Sequence, residues 1–210
     1  ESTFRAHEAT QDRKTNPFIH LYESNLIPSE NWQDYDVVGI SIIGISQIIP
    51  GLTLARQLKE QFPHLHITLG GPIFSVNAGQ LIGHPEFFDD FCHSIVTFEG
   101  EEPMHRLLTA LKAGDALSTV PNLIHLEERE VVHNKERVEL RFEEIPGPTF
   151  DGLPMHSYLS PYPIIPVLQS RGCYWGKCTF CTHSFVYGHR YGKQKTHAMV
   201  DELEVLMKKY

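Results

Sequence analysis

Three cysteines lie close together in this 210-residue chain, at Cys173, Cys178 and Cys181. Thiolates are ligands for soft metals and iron–sulfur clusters, so three of them in one loop predict a metal centre. A [4Fe–4S] cluster normally takes four thiolates, one for each iron. A loop that supplies only three would leave one iron free to bind a small molecule. An open-site [4Fe–4S] cluster is therefore the leading interpretation of this spacing.

Other interpretations of the cysteines remain open. A structural zinc ion could use His183 as its fourth ligand, although zinc loops usually carry two ligand pairs separated by a longer loop. The Cys-x4-Cys-x2-Cys spacing also fits a [2Fe–2S] ferredoxin, but that pattern requires a further downstream cysteine, and none follows Cys181. A disulfide framework is disfavoured because the chain is not a cysteine-dense small domain. The remaining Cys92 lies in an apolar context and is predicted to be buried.

The segment from Ser170 to Cys181 resembles the cysteine loop of the radical S-adenosylmethionine (SAM) enzymes. These enzymes usually carry Cys-x3-Cys-x2-Cys with an aromatic residue before the last cysteine, a place that Phe180 occupies. The longer first spacing is similar to that of members with an N-terminal cobalamin-binding domain. The resemblance implies that SAM binds the open iron through its amino and carboxylate groups. The cluster then reduces SAM by one electron, which cleaves it to a 5′-deoxyadenosyl radical. It also implies that Phe180 belongs to the SAM site and that a flavodoxin or ferredoxin donates the electron.

The residues before this loop alternate between strand and helix patterns. Residues 37–43 form a continuous apolar run that predicts a parallel strand buried on both faces, and Pro50 is predicted to open a helix. Further strands are expected at 66–69 and 94–98, the second followed by a helix with Met104, Leu107, Leu108 and Leu111 on one face, and a hairpin at 123–126 and 131–133. This alternation predicts an α/β fold with a Rossmann-like (flavodoxin-like) parallel sheet and an added hairpin.

Ligands of such sheets bind outside the carboxyl ends of the strands, so the residues there are candidate site residues. The three chemically unusual strand ends are Ser41, Ile43 and Gly44; Gly70, Gly71 and Pro72; and Glu99, Gly100 and Glu101. The first two resemble the Ser-x-Leu and Gly-Gly elements of cobalamin-binding domains, and the third resembles a loop of cobalamin-binding radical enzymes. The resemblance implies that these nine residues line a cobalamin site. Acidic residues at a helix start are also favoured by the helix dipole alone.

One part of the cobalamin pattern is absent. The Asp-x-His-x-x-Gly motif, whose histidine ligates cobalt in many cobalamin proteins, would fall at or before residue 1. A histidine ligand is therefore left open, and the N-terminal strand of the sheet is predicted to be missing.

A proline-rich segment divides the sequence, since six of its 14 prolines fall between Pro146 and Pro166. We expect a cobalamin-binding domain at 1–145, a linker at 146–163, and the start of a radical SAM β/α barrel at 164–210. The predicted barrel start consists of a strand at 164–168, the cysteine loop, and a helix containing Met199, Leu203 and Leu206. A complete barrel needs several more units, so these 210 residues alone are expected to be inactive.

Composition limits the partners and the location. The net charge of −8, without a basic cluster, argues against a nucleic-acid partner. The sequence has no apolar run long enough for a membrane span and no signal-peptide pattern. Reduced thiols and an oxygen-sensitive cluster predict the cytoplasm.

The sequence therefore predicts a fragment of a cobalamin-dependent radical SAM enzyme. Its resemblance implies C-methylation, ring contraction or cyclisation of a small molecule or a peptide, with possible transferase activity. The alternative from another class is a non-catalytic cobalamin or corrinoid-binding module with structural cysteines.

Overall fold

The computed structural model of the chain describes residues 2–138 and 140–210. The chain forms two compact units, Glu1–Glu139 and Leu140–Tyr210. The proline-rich segment 146–163 consequently belongs to the second unit. The assignment of a cofactor to each predicted domain stays a prediction.

The first unit alternates helices and strands, as the sequence pattern predicted. Its elements are α1 (Ser2–Ala9), α2 (Pro17–Leu21), α3 (Ile27–Ser29), β1 (Val37–Ser41), α4 (Ile48–Gln61), β2 (His66–Gly70), α5 (Pro72–Leu81), α6 (Pro85–Phe91), β3 (Ser94–Val96), α7 (Glu101–Ala113), β4 (Leu123–Glu127) and β5 (Glu130–His133). Helix α4 begins two residues before Pro50. The proline lies in the first helical turn, where its missing N–H removes no intrahelical hydrogen bond.

The five strands form one sheet in the order β1-β2-β3-β4-β5. Strands β1, β2 and β3 run parallel, with Ser41 opposite Gly70 and Leu69 opposite Ile95. Strand β4 runs antiparallel to β3, and β5 antiparallel to β4. The predicted parallel sheet is therefore correct for three strands, whereas the sheet as a whole is mixed.

A tight hairpin turn joins β4 to β5. Glu128 and Arg129 form its two-residue turn, and both have positive φ, 47° and 68°. Two positive φ values define the type I′ turn, whose twist matches that of an antiparallel hairpin. A connection of two residues can join only antiparallel neighbours, because a parallel crossover needs a dozen residues or more. The predicted hairpin is confirmed.

Strand β1 lies at the edge of the described sheet, and the prediction that it is buried on both faces is wrong. Gly39 and Ser41 are exposed, and the other residues of the strand are half-buried. An apolar run predicts that a segment forms a strand, but it does not predict how many strands pair with that segment in the sheet. Here β1 has only β2 beside it.

Helices pack on both faces of the sheet. The larger core brings α4, α5 and α6 against strand residues such as Ile67 and Ile95. The smaller core brings Leu107 of α7 against Val96 and Leu123. Ile95 and Val96 are successive residues of β3, and successive residues of a strand point to opposite faces. The first unit is therefore a layered α/β domain.

The second unit contains β6 (Ser170–Gly172), α8 (His183–Val186), β7 (Tyr191–Lys193) and α9 (Thr196–Lys209). Strands β6 and β7 form an antiparallel ribbon. Helix α9 confirms the predicted helix. The strand predicted at 164–168 is wrong, because these residues pair with no strand in the described part of the chain. Pro163 and Pro166 lack the N–H that a strand ladder needs. The β/α barrel stays a prediction.

Among the helices that the structure describes, none combines the length and the apolar composition that crossing a membrane requires.

Candidate functional site

The carboxyl ends of β1 and β2 meet at one edge of the sheet. The backbone N–H of Ile42 donates a hydrogen bond of 2.8 Å to the carbonyl oxygen of Gly70. This bond extends the parallel ladder by one step beyond Ser41. The structure thus brings the first two predicted site segments side by side.

The two glycines after β2 have different roles. Gly71 has φ of 108°, and a Cβ placed on it would lie 2.2 Å from the carbonyl oxygen of Ile42. Only glycine fits this close approach. A Cβ placed on Gly70 would lie 3.6 Å from its nearest heavy atom, the Val96 carbonyl oxygen, which is an ordinary contact. Gly71 is required by the backbone, while Gly70 leaves space beside the strand ends.

Gln47 holds the loop after β1, and the sequence analysis missed it. Its Oε1 accepts hydrogen bonds from the backbone N–H of Ile43 at 2.8 Å and of Gly44 at 3.2 Å. The backbone N–H of Gln47 in turn donates to the carbonyl of Gly44 at 3.0 Å. A glutamine at the third position of a helix can accept from the backbone N–H at the helix start, as in a capping box, but Gly44 lacks the side chain that would complete the sequence signature. The loop presents Ile43 to solvent with 66% of its surface exposed.

Ser75 connects the second and third site segments and was also missed. Its Oγ accepts a hydrogen bond of 2.7 Å from the backbone N–H of Phe98, directly after β3. Phe98 has φ of 62°, unusual for a residue with a side chain. The Arg137 guanidinium lies 3.9 Å from the centre of the Phe98 ring. The sequence offers no local signal for these contacts, because the partners are far apart along the chain.

The third site segment leads into α7. Glu99 is buried, with 7% of its surface exposed, and Gly100 is half-buried. Glu101 is the first residue of α7, where a carboxylate interacts favourably with the helix dipole. The nine predicted residues thus follow three adjacent parallel strands. Their assignment to a ligand is not decided by this placement.

The cysteine loop begins directly after β6 and is held there by backbone contacts. The N–H of Cys173 donates to the carbonyl of Arg190 at 3.2 Å. Gly172 has φ of 86°, and a Cβ on it would lie 2.0 Å from that same carbonyl oxygen. The glycine therefore permits the close pairing that starts the loop.

Inside the loop, a backbone amide points at the first sulfur. Gly176, with φ of 61°, donates its N–H to Sγ of Cys173 at 3.4 Å. An amide donor stabilises a thiolate and tunes a cluster that the thiolate binds. Cys178 and Cys181 are exposed, and all three cysteines are free thiols. The donor set fits an iron–sulfur cluster that takes three ligands from this loop.

No three His, Cys, Asp or Glu side chains in the described residues are gathered so that they could hold a single metal ion. The alternative zinc site with His183 would need such a gathering. The His183 ring instead lies 4.7 Å from the Tyr187 ring. In a four-iron cluster each thiolate binds its own iron, so the sulfurs need not converge on one point.

Other residues of the loop are mostly exposed. Phe180, predicted for the SAM site, is 87% exposed. Lys177 Nζ lies 5.6 Å from the Trp175 ring centre, and the Arg171 guanidinium lies 5.9 Å from that of Tyr187.

Cys92 is confirmed as a core residue. Only 1% of its surface is exposed, and burial raises the pKa of its thiol far above the usual range. A neutral, buried thiol is not available as a ligand.

No protein-family model matches the chain. The uncharacterized methyltransferase PH0819 of Pyrococcus horikoshii is 28% identical over 179 residues, covering 84% of this chain and 38% of that protein. The chain thus spans well under half the length of this relative.

Three solved structures of similar fold come from radical SAM enzymes. The methyltransferase TsrM from Kitasatospora setae, with cobalamin and a [4Fe–4S] cluster bound, matches 95% of this chain and 38% of its own at 21% identity, TM-score 0.56. TsrM with tryptophan and a SAM analogue matches with TM-score 0.60, 20% identity and coverages of 94% and 38%. The cobalamin-dependent radical enzyme OxsB, with aqua-cobalamin, matches 90% of this chain and 25% of its own at 23% identity, TM-score 0.62.

At these identities the likeness establishes the fold. Cobalamin, the cluster and the SAM analogue are ligands of those proteins. The chain has the α/β fold that occurs in these cobalamin-dependent radical SAM enzymes.

Proposed function

We propose that this chain is part of a cobalamin-dependent radical SAM enzyme. The sheet edge would bind cobalamin, and the cysteine loop would bind a [4Fe–4S] cluster. The observation that carries the proposal is the extent of the fold match. A structure containing both cofactors matches 95% of this chain, too much to omit either of its units.

At the sheet edge, this chain's residues would line the pocket for the nucleotide tail of cobalamin. Ile43 offers exposed apolar surface, and Gly70 leaves room close to the strand ends. Gln47 fixes the loop that carries Ile43, so this surface is ordered before a ligand arrives. A preorganised surface loses less conformational entropy on binding.

In the second unit, Cys173, Cys178 and Cys181 would bind three irons. When bound, the cluster supplies the electron that cleaves SAM and the iron to which the amino and carboxylate groups of SAM bind. The amide of Gly176 supports the Cys173 thiolate. Arg171 and Lys177 lie within two residues of Cys173 and Cys178 in the sequence, and their positive charge would offset the negative charge of the cluster.

Methyl transfer is the preferred reaction, because PH0819 and TsrM both carry the name methyltransferase. The substrate would be a small molecule or a peptide, and a flavodoxin or ferredoxin would supply electrons. The oxygen sensitivity of the cluster favours the cytoplasm.

The test uses the full-length protein reconstituted without oxygen. We expect about four irons and four sulfides per chain, in line with a [4Fe–4S] cluster. Visible absorbance should report saturable cobalamin binding, and chromatography should detect 5′-deoxyadenosine after reduction with SAM present.

Each other result has a distinct meaning. Cobalamin binding without iron would make the protein a corrinoid-binding module with structural cysteines. Tightly bound zinc in place of iron would identify a structural zinc site. The absence of both cofactors would refute the proposal.

A further inference from the structure

The sequence around the cysteine loop carries only positive charge. Residues 152–200 contain no Asp or Glu, although the chain has 26 of these against 18 Lys and Arg. The cations of this segment are Arg171, Lys177, Arg190, Lys193 and Lys195. A stretch that carries charge of one sign creates a local field that differs from that of the acidic chain as a whole.

Three of these cations are exposed. Lys177, Lys193 and Lys195 make no ion pair with any residue that the structure describes. Two lysines near the end of α9 behave differently: Lys208 pairs with Glu204 at 3.4 Å, and Lys209 pairs with Asp151. Among the lysines of the second unit, those without an ion pair in the described residues are thus the three nearest the cysteine loop in sequence.

Backbone geometry places Lys193 and Lys195 on the same side of their segment. Lys193 is exposed at the end of β7, and the backbone at Lys195 is also extended, with φ of −67° and ψ of 141°. Between them, Oε1 of Gln194 is buried. Since side chains alternate along an extended chain, the two lysines point away from the buried side.

Aromatic rings connect this side to the cysteine loop. Tyr191 lies two residues before Lys193 on β7 and is exposed like it. The Tyr191 ring is edge-on to the Tyr174 ring, with 6.0 Å between the two ring centres. Tyr174 directly follows Cys173. Trp175 is 59% exposed and contacts the ammonium of Lys177. We call Tyr174, Trp175, Lys177, Lys193 and Lys195 the basic face.

The proposed chemistry requires an electron from outside the cysteine loop. Electron transfer slows steeply with distance, so a donor must dock where the cluster approaches the surface. Cys178 and Cys181 are exposed in this chain, so the residues described here leave two of the three thiolates uncovered.

We propose that the basic face is the docking surface for an acidic one-electron carrier protein, an inference that rests on the proposed function. In this step one electron passes from the reduced carrier to the oxidised cluster. The carrier is oxidised, the cluster is reduced, and no covalent bond forms or breaks. Opposite charges steer the encounter, and the aromatic rings add contact area once the proteins meet.

The test measures reduction of the cluster in the anaerobically reconstituted full-length protein by stopped-flow absorbance. Reduced flavodoxin, an acidic protein, is the probe. In a K193E/K195E variant we expect the second-order rate constant at low salt to fall about tenfold, a typical size for lost electrostatic steering. High salt should shrink the difference, because it screens surface charges.

Two controls separate docking from damage to the cluster. Dithionite is a small reductant that needs no docking surface, so it should reduce wild type and variant at equal rates. The K208E variant makes the same kind of charge change on α9, away from the basic face, and should keep the wild-type rate with flavodoxin.

Several results would overturn the inference. These are an unchanged rate with flavodoxin, an equal fall with dithionite, or protection of Lys193 and Lys195 from amine-reactive labels in the full-length protein. If the double variant instead loses binding to single-stranded RNA and keeps its rate with flavodoxin, the face binds nucleic acid and the inference is wrong. Failure of the wild type to assemble a cluster would refute the proposed function and this inference with it. SAM cleavage driven by dithionite, without any effect of K193E/K195E on flavodoxin, would refute this inference alone.

Discussion

The two glycines that follow β2 should respond differently to the same substitution. We expect Gly71→Ala to destabilise the first unit strongly and Gly70→Ala to leave its stability nearly unchanged. The residues are adjacent and the substitution is identical. The comparison therefore isolates the backbone requirement at one position from general effects of adding a methyl group.

The structure sets the magnitudes. A non-glycine residue held at an unfavourable positive φ costs about 1–3 kcal/mol. At Gly71 the new Cβ would also lie 2.2 Å from the Ile42 carbonyl oxygen, so the backbone must move and disturb the ladder of β1 and β2. We expect a total of roughly 3 kcal/mol or more, which lowers the melting temperature by about 10 °C in a unit of this size. Gly70→Ala meets its nearest atom at 3.6 Å and should change stability by less than about 1 kcal/mol.

Thermal unfolding followed by circular dichroism measures the stability of both alanine variants. Titration with cobalamin followed by visible absorbance tests whether Gly70 lies in the cobalamin site. Gly70→Val should weaken cobalamin binding, because its branched side chain fills space beside the strand ends, while the fold is largely retained. Wild-type stability of Gly71→Ala would show that the turn is not built as described. Wild-type affinity of Gly70→Val would remove Gly70 from the cobalamin site.

Three further predictions concern the cysteines, two half-buried histidines and the β1 loop. Single changes of Cys173, Cys178 or Cys181 to Ala should abolish iron incorporation, whereas Cys92→Ala should keep it and cost only packing energy; a retained cluster in any of the first three would contradict the ligand assignment. Burial, and after it the charge of the neighbouring His93, lowers the pKa of His66 to about 4. Burial, and after it the charge of Lys59, lowers the pKa of His93 to about 4. Because both stay neutral in the folded protein but become charged in the unfolded chain below its pKa of about 6.5, stability should fall by roughly 1–2 kcal/mol between pH 7 and pH 5. Urea unfolding at both pH values checks this, and His66→Gln should reduce the loss; equal midpoints in the wild type would contradict it. Gln47→Ala should remove the acceptor for the N–H groups of Ile43 and Gly44 and speed their hydrogen exchange, whereas Gln47→Glu should preserve protection; unchanged exchange in Gln47→Ala would show that the cap is not formed.

Local patterns predicted the five strands of the first unit and the helices α4, α7 and α9, but not the other helices or the ribbon of β6 and β7. The apolar runs and helical spacings located β1, β2, β3, α7 and α9, because hydrophobic periodicity reports directly on one buried face. The hairpin was predictable for the same reason. The paired glycines also carry local information, since the positive φ at Gly71 excludes other residues wherever the chain makes that turn.

The pairing between strands was harder to predict from the sequence. The apolar run at 37–43 favours a strand equally well at an edge or in the middle of a sheet, and its single neighbour appears only when the sheet is assembled. The run at 164–168 has strand-like composition but no partner among the described residues, and its prolines reduce the hydrogen bonds that it could make. Neither outcome is encoded in the pattern of one segment.

The sequence by itself determined the chemistry available to this protein: three thiols in one loop, a stretch without acidic residues around them, and glycines at the end of a strand. Tertiary structure decided which of these groups meet. The contacts of Ser75 with Phe98 and the pairing of the cysteine loop with Arg190 join residues distant in the chain. Such contacts depend on how elements pack, because a side chain's partner across a sheet or ribbon is set by register and not by its own neighbours in sequence.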